Sequence, residues 1–326
     1  MIHIITLHYA TPAWLEIQKR HLLKYTDAEH KVWIAKYKVE IPEDFKIPSH
    51  WEWIDLDTVY PSNAKNEHYL QMNWMYENVV GPQMSPDDVL IFLDSDAFPC
   101  VEDWTQNILL TLSPDEVSAT TRANLLSGMA DEHVPLCDVV CLHMLENEPD
   151  PLFTRPGYHP YPDLCFFATT KHVMDTHNLR WGLFQLWQQN PGYGMKDRII
   201  AANLKVAEIT RSNVFNAHNV MFGVYGNMIY HQQCGSRAIV GRPHETGGAG
   251  VNTKRQCYTG FDAYGRVSLA RYRHWYPSSN PKDPWNFELA CQDIIEVNTA
   301  IFDIIYNKLR EDKDCTFIKR YFLGHP

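Results

Sequence analysis

The residues with the clearest chemical potential are Asp94 and Asp96, which flank Ser95 directly after the run Val89-Leu90-Ile91-Phe92-Leu93. Two carboxylates two residues apart at the end of a buried strand can both reach one hard divalent cation. Alternatively, one holds the ion while the other holds a ribose. Mg2+ and Mn2+ take oxygen ligands and keep positions open for a diphosphate. A bare Asp-x-Asp pair is equally compatible with two solvated turn aspartates, so the surrounding elements decide its meaning.

Those elements read as alternating strands and helices. Residues 2–7 are a β-branched run, and Thr11-Pro12 follows as a cap and first-turn proline. Trp14, Leu15, Leu22 and Leu23 then recur at helical spacing. Strands are predicted at 32–35 and 51–54, and a helix carries the stripe Tyr69, Met72, Tyr76 and Val79. The continuous apolar run at 89–93 is the pattern of a central parallel strand covered on both faces. Beyond Pro99 the pattern predicts a helix over 104–112, strands at 117–121, 138–144 and 164–169, and a helix over 195–206. Such alternation implies a doubly wound sheet, whose ligands bind at the carboxyl ends of its strands. The acidic pair falls at such an end.

Residues 241–265 are glycine-rich and lack apolar periodicity, which predicts a loop. Ile294, Val297, Ile301, Ile304 and Ile305 then place a stripe on a long helix expected to pack against the main sheet. The expected organisation is a catalytic domain over 1–240 and a loop-and-helix extension over 241–326. No internal repeat is visible.

The chain has 326 residues, 45% of them hydrophobic, enough for a large packed core. Its 29 basic and 39 acidic residues give a net charge of −10, and no basic stripe is present to track phosphates. This disfavours non-specific nucleic-acid binding, although a local basic groove is compatible with an acidic total. The sequence shows no signal-peptide pattern at its start and no run near the ~20 apolar residues that span a bilayer. The 8 cysteines form no C-x-x-C pair. Scattered thiols suit a reducing compartment, and the expectation is a cytoplasmic protein.

The segment from Asp87 to Pro99, in which an apolar strand runs into Asp94-Ser95-Asp96 and then Ala97-Phe98-Pro99, resembles the Asp-x-Asp segment of GT-A-type glycosyltransferases. The opening strand, the Asn73-bearing helix and the stretch Tyr230-His231-Gln232-Gln233-Cys234-Gly235-Ser236-Arg237 are similar to further landmarks of that family. The resemblance spans roughly residues 1–240. It implies an α/β, Rossmann-like fold with a mostly parallel central sheet flanked by helices. It also implies metal-dependent transfer of a hexose or pentose from a nucleotide-diphospho-sugar.

Carried over residue by residue, the resemblance puts an Mn2+ or Mg2+ ion on Asp94, Asp96 and His231, with His244 as the rival third ligand. Donor contacts fall on Thr6, His8, Tyr9, Asn66, His68, Asp94, Ser95, Arg122 and Arg237, with Lys254 and Arg255 as further cations. Asp163 and Trp181 lie on the expected acceptor side. An inverting enzyme needs a carboxylate near the acceptor hydroxyl, commonly at the start of a late helix, and Asp197 fits that position. A retaining enzyme needs no such base, so the stereochemistry is left open. Each of these side chains also has a purely structural reading: a packed imidazole, a solvated cation, or an aspartate in a helix's first turn.

The acceptor is left open among a glycan, a lipid-linked sugar, a protein and a modified DNA base. From a different class, a non-catalytic carbohydrate-binding protein with the same fold would use the 10 Trp and 17 Tyr for sugar stacking. A dehalogenase-type phosphatase is disfavoured because Ala97-Phe98-Pro99 lacks the usual threonine context. A sugar nucleotidyltransferase is disfavoured because no basic glycine-rich loop follows the first strand, and no Walker or dinucleotide fingerprint is present.

Overall fold

The computed structural model describes residues 1–9, 12–62, 68–112, 137–143, 162–182, 192–209, 223–232 and 304–324. Within them the chain opens with β1 (Ile2–Tyr9), α1 (Leu15–Tyr25), β2 (His30–Tyr37), β3 (Glu52–Asp55), α2 (Leu56–Val59) and α3 (His68–Met75). It continues through β4 (Val89–Asp94), β5 (Ala97–Pro99), α4 (Trp104–Leu112), β6 (Val139–His143) and β7 (Pro162–Thr170). Then come α5 (Lys171–Thr176), α6 (Gly192–Ala201), β8 (Val206–Ile209), β9 (Gly223–Tyr225), β10 (Ile229–His231), helix α7 at 304–311 and α8 (Phe317–Leu323).

Seven strands form one sheet in the order β3-β2-β1-β4-β7-β6-β8. Parallel pairing joins β3, β2, β1 and β4, and also β6 and β8, while β7 is antiparallel to both of its neighbours. This is an α/β fold with a mostly parallel sheet, as the alternating pattern predicts. Alternation along β4 separates two cores. Val89, Ile91 and Leu93 face the α1 side with Leu15, Leu22 and Trp104, whereas Leu90 and Phe92 face Met72, Met75, Tyr76 and Trp181. Burial on both faces is the reason β4 reads as unbroken apolar sequence.

A second, antiparallel sheet has the order β5-β10-β9. It grows directly from the first, since only Ser95 and Asp96 separate β4 from β5. The β9–β10 turn places Gly226 and Asn227 at φ +56° and +54°, and Met228 N–H bonds the Tyr225 carbonyl at 2.9 Å. Two successive left-handed residues are what a type I′ hairpin turn requires. The hairpin returns the chain so that His231 pairs with Ala97.

Three expectations differ from the structure. The helix expected over 195–206 spans Gly192–Ala201 instead, and Val206 belongs to β8. Asn203, at φ +52°, takes the left-handed conformation that commonly ends a helix. The first helix starts at Leu15 with Trp14 at its N-cap, later than Thr11-Pro12. Of the C-terminal stripe, Ile305 packs elsewhere than on the main sheet: with Leu309 of the same helix it joins Trp14, Phe98, Val224 and Tyr230, covering the small sheet and α1, while Ile294, Val297 and Ile301 lie outside the described residues. Ile304 on the same helix is 60% exposed. The strand expected at 117–121, the loop at 241–265 and the proposed boundary near 240 lie outside the described residues.

Candidate metal centre

The acidic turn bridges the two sheets. Asp94 is the last residue of β4, and Asp96 immediately precedes β5. Because Ala97 pairs with His231, the imidazole at the end of β10 arrives beside Asp96. The ladder is extended by Gln232 N–H, which bonds the Asp96 carbonyl at 3.1 Å. One ligating atom each from Asp94, Asp96 and His231 falls within 4.8 Å of the others. His231 Nε2 lies 3.5 Å from Asp96 Oδ1, and both side chains are almost fully buried.

Asp94 is partly exposed. Its Oδ1 accepts the Ser95 N–H at 2.8 Å, and His68 Nε2 stands 3.7 Å from the same oxygen. Burial raises the Asp94 carboxyl above the usual carboxylate range. The Asp96 charge raises it further, and this outweighs the opposing pull of His68 and His231. Two carboxylate oxygens and one imidazole nitrogen, drawn together where a second carboxylate raises the first, form a donor set that fits Mn2+ or Mg2+. The nitrogen favours Mn2+.

The other expected site residues fall as follows. Thr6 and His8 are buried beneath the turn, and both bond to Gln18 Oε1 at 3.0 Å. Burial lowers the His8 imidazole to about 4, so it is neutral at pH 7. Tyr9 is half-buried at the end of β1 and stacks on Tyr37 with ring centroids 5.9 Å apart. His68 opens α3, and Ser95 is buried within the turn. Asp197 is half-buried in the second turn of α6, beyond the helix start at which it was expected. Near the start of that helix Gly194 approaches Gly182 so closely that a Cβ would meet the Gly182 carbonyl oxygen at 2.4 Å.

Trp181 is core, its ring packed against Phe92 and Phe167, which removes it as a sugar-stacking face. Trp14, Trp33 and Trp104 are likewise fully buried. Asn66, Arg122, Arg237, His244, Lys254 and Arg255 lie outside the described residues, as does the side chain of Asp163.

Sequence reasoning missed Gln18. Its Nε2 donates to the Asp94 and Ala97 carbonyls, both at 2.8 Å, and its Oε1 meets Thr6 and His8. The available signal was a pair of polar residues, Gln18 and His21, within the apolar stripe of α1. His21 Nδ1 bonds the Pro99 carbonyl at 2.8 Å.

No protein-family model matches the chain, and no curated protein matches it. Among solved structures it is similar to the galactosyltransferase LgtC in complex with donor and acceptor sugar analogues. There the identity is 10%, over 63% of this chain and 72% of that one, with a TM-score of 0.32. It is also similar to residues 1–349 of S. aureus TarS, at 10% identity over 99% of this chain and 92% of that one, with a TM-score of 0.35. A longer TarS structure is covered to 55% by 98% of this chain at a TM-score of 0.36. Likeness this slight carries no argument about activity, and the α/β class rests on the strand order and the two cores. Fold and site together define an α/β protein with a candidate divalent-cation site at the carboxyl end of its central strand.

Proposed function

We propose that the protein is a metal-dependent glycosyltransferase that moves a hexose or pentose from a nucleotide-diphospho-sugar to a hydroxyl acceptor, on a GT-A-like fold. The observation that carries the reading is the convergence of Asp94, Asp96 and His231 within 4.8 Å at the end of β4. In this reading these residues hold Mn2+, or Mg2+ in its place. When bound, the ion supplies positive charge against the diphosphate that leaves as the glycosidic bond breaks.

The chain's own residues then bind and orient. His68, beside Asp94, faces the donor with Ser95 and Tyr9, and Thr6 and His8 support the turn from below. Asn66, Arg122 and Arg237 complete the donor set. Asp197 accepts the proton of the attacking acceptor hydroxyl if transfer inverts the anomeric centre. Near-wild-type turnover by Asp197→Asn removes that assignment. The acceptor is a glycan, lipid-linked sugar or protein, with nucleic acid the least favoured by the −10 balance. Among the described residues no helix is long and apolar enough to cross a membrane. A cytoplasmic location is part of the proposal, supported by the free buried thiols of Cys100 and Cys315.

The test is a panel of nucleotide-diphospho-sugars with and without Mn2+, read by thermal unfolding and by release of nucleoside diphosphate. A donor at a hundred times its Kd stabilises by about 2.7 kcal/mol, or roughly 4 °C for a chain of this size. The expected result is such a shift for one donor class, only with the ion, together with diphosphate release. Stabilisation without release favours the carbohydrate-binding reading. The absence of any Mn2+-dependent shift would falsify the metal-dependent transferase.

A further inference from the structure

We propose that Gln18 is a positioning residue for the acidic turn, setting the separation of Asp94 and Asp96 from the far side of the backbone. The inference rests on the metal-dependent reading above and adds a residue to it. Gln18 is 2% exposed, lies on α1, and makes four hydrogen bonds. Its two Nε2 hydrogens go to the Asp94 and Ala97 carbonyls, the two ends of the turn.

Those acceptors fix which end of the amide points at the turn. Oε1 must then receive Thr6 Oγ1–H and a proton on His8 Nε2. A primary amide has two donor hydrogens and two acceptor lone pairs, and here all four are used. Its orientation is therefore over-determined.

The position of this amide matters because the turn changes sheet. Asp94 ends a strand of the seven-stranded sheet and Ala97 begins one of the three-stranded sheet, so the regular pairing of neither sheet covers residues 95–96, although Gln232 N–H reaches the Asp96 carbonyl. Gln18 bonds both flanks of that gap and ties them to β1 through Thr6 and His8. The same helix holds the carbonyl two residues further on, that of Pro99, through His21. A cation site needs its ligands held to about 0.5 Å by their supporting residues, and loss of such support typically weakens metal affinity about 10–100-fold. Gln18 acts through the backbone carrying the carboxylates and touches neither carboxylate.

The experiment titrates Mn2+ alone into the full chain, without donor, following free ion by electron paramagnetic resonance. It compares wild type, Gln18→Met, Thr6→Val and Asp96→Asn, with urea unfolding in chelator recorded for each. Gln18→Met keeps the side-chain length and removes all four bonds. The expected result is folded Gln18→Met with affinity lowered about 10–100-fold and an altered bound-Mn2+ spectrum. Thr6→Val, which takes one donor from Oε1, should lower it by roughly 3–10-fold. Binding by Gln18→Met within about twofold of wild type overturns the positioning role and leaves the metal site standing. If Gln18→Met does not fold, Thr6→Val decides on the same twofold criterion. Wild type that takes up no Mn2+, or Asp96→Asn that binds as tightly as wild type, removes the metal reading and this inference with it.

Discussion

Asp88 lies just before β4 and Asp94 ends it, so one buried strand has a carboxylate at each end, and the surroundings of the two differ. At the leading end, Asp88 Oδ1 receives the α-amino group of Met1 at 2.9 Å, and Oδ2 receives Ser85 N–H at 2.7 Å, with His3 Nε2 at 3.5 Å. Burial alone would raise this carboxyl. The bonds from the amine and from Ser85 outweigh it and hold Asp88 below the usual carboxylate range. At the trailing end, Asp94 and Asp96 share two imidazoles and the Ser95 N–H, and Asp94 is pushed up. A carboxylate at the rim of a sheet is thus no signal by itself. What distinguishes a candidate cation site is the convergence of several ligating atoms where burial and a second carboxylate push a carboxyl up.

The contrast can be broken at either end. Asp96→Asn should cost at least ~100-fold in Mn2+ affinity and in diphosphate release, while Asp88→Asn leaves both within about threefold. Similar losses from the two substitutions would erase the distinction. On stability the order reverses. Asp88→Asn should lower the unfolding free energy by about 1 kcal/mol in chelator, because it leaves part-buried donors without their charged partner. Asp94→Asn in chelator should raise the urea midpoint, since it removes a charge that burial and Asp96 disfavour. Adding Mn2+ should cancel that advantage.

Acid titration sharpens the comparison further. The folded pKa of Asp88 is depressed, so its stabilisation is complete above the unfolded carboxylate value. It is lost as pH falls through the folded value. Urea midpoints of Asp88→Asn should therefore flatten below about pH 4 relative to wild type. A second pH-dependent effect is expected of His21, which burial lowers to about 3. Its contribution is full above about pH 6.5 and falls as the unfolded imidazole takes up a proton that the folded one refuses, by at most about 1.4 kcal/mol per pH unit. His21→Gln should remove that slope between pH 6.5 and 4. An unchanged slope would show that His21 does not contribute to it.

Much of this arrangement is legible along the chain. The unbroken run before Asp94 marks a strand buried on both faces, and the alternating elements mark the sheet around it. The short run Met228-Ile229-Tyr230 ahead of His231 marks a strand end. The reading fails where period alone cannot separate states: Met195, Ile199 and Val206 fit one helical stripe, yet the left-handed Asn203 divides them between a helix and a strand. Asp197 then lies deeper in its helix than the spacing suggests. The C-terminal stripe was visible as a stripe, but not the surface it covers, because an amphipathic face specifies burial without naming its partner.

Sequence alone determined that 89–93 is a buried strand and that two carboxylates follow it, because burial and the alternation of side chains are local properties of the chain. Only the tertiary structure decided that His231 arrives beside Asp96, that Asp88 is held low while Asp94 is pushed up, and that Gln18 bonds both flanks of the turn. The bonds from Gln18 to the turn join residues 76 and 79 positions apart. Such contacts depend on how strands and helices pack, and a linear pattern of residue types contains no distance between them.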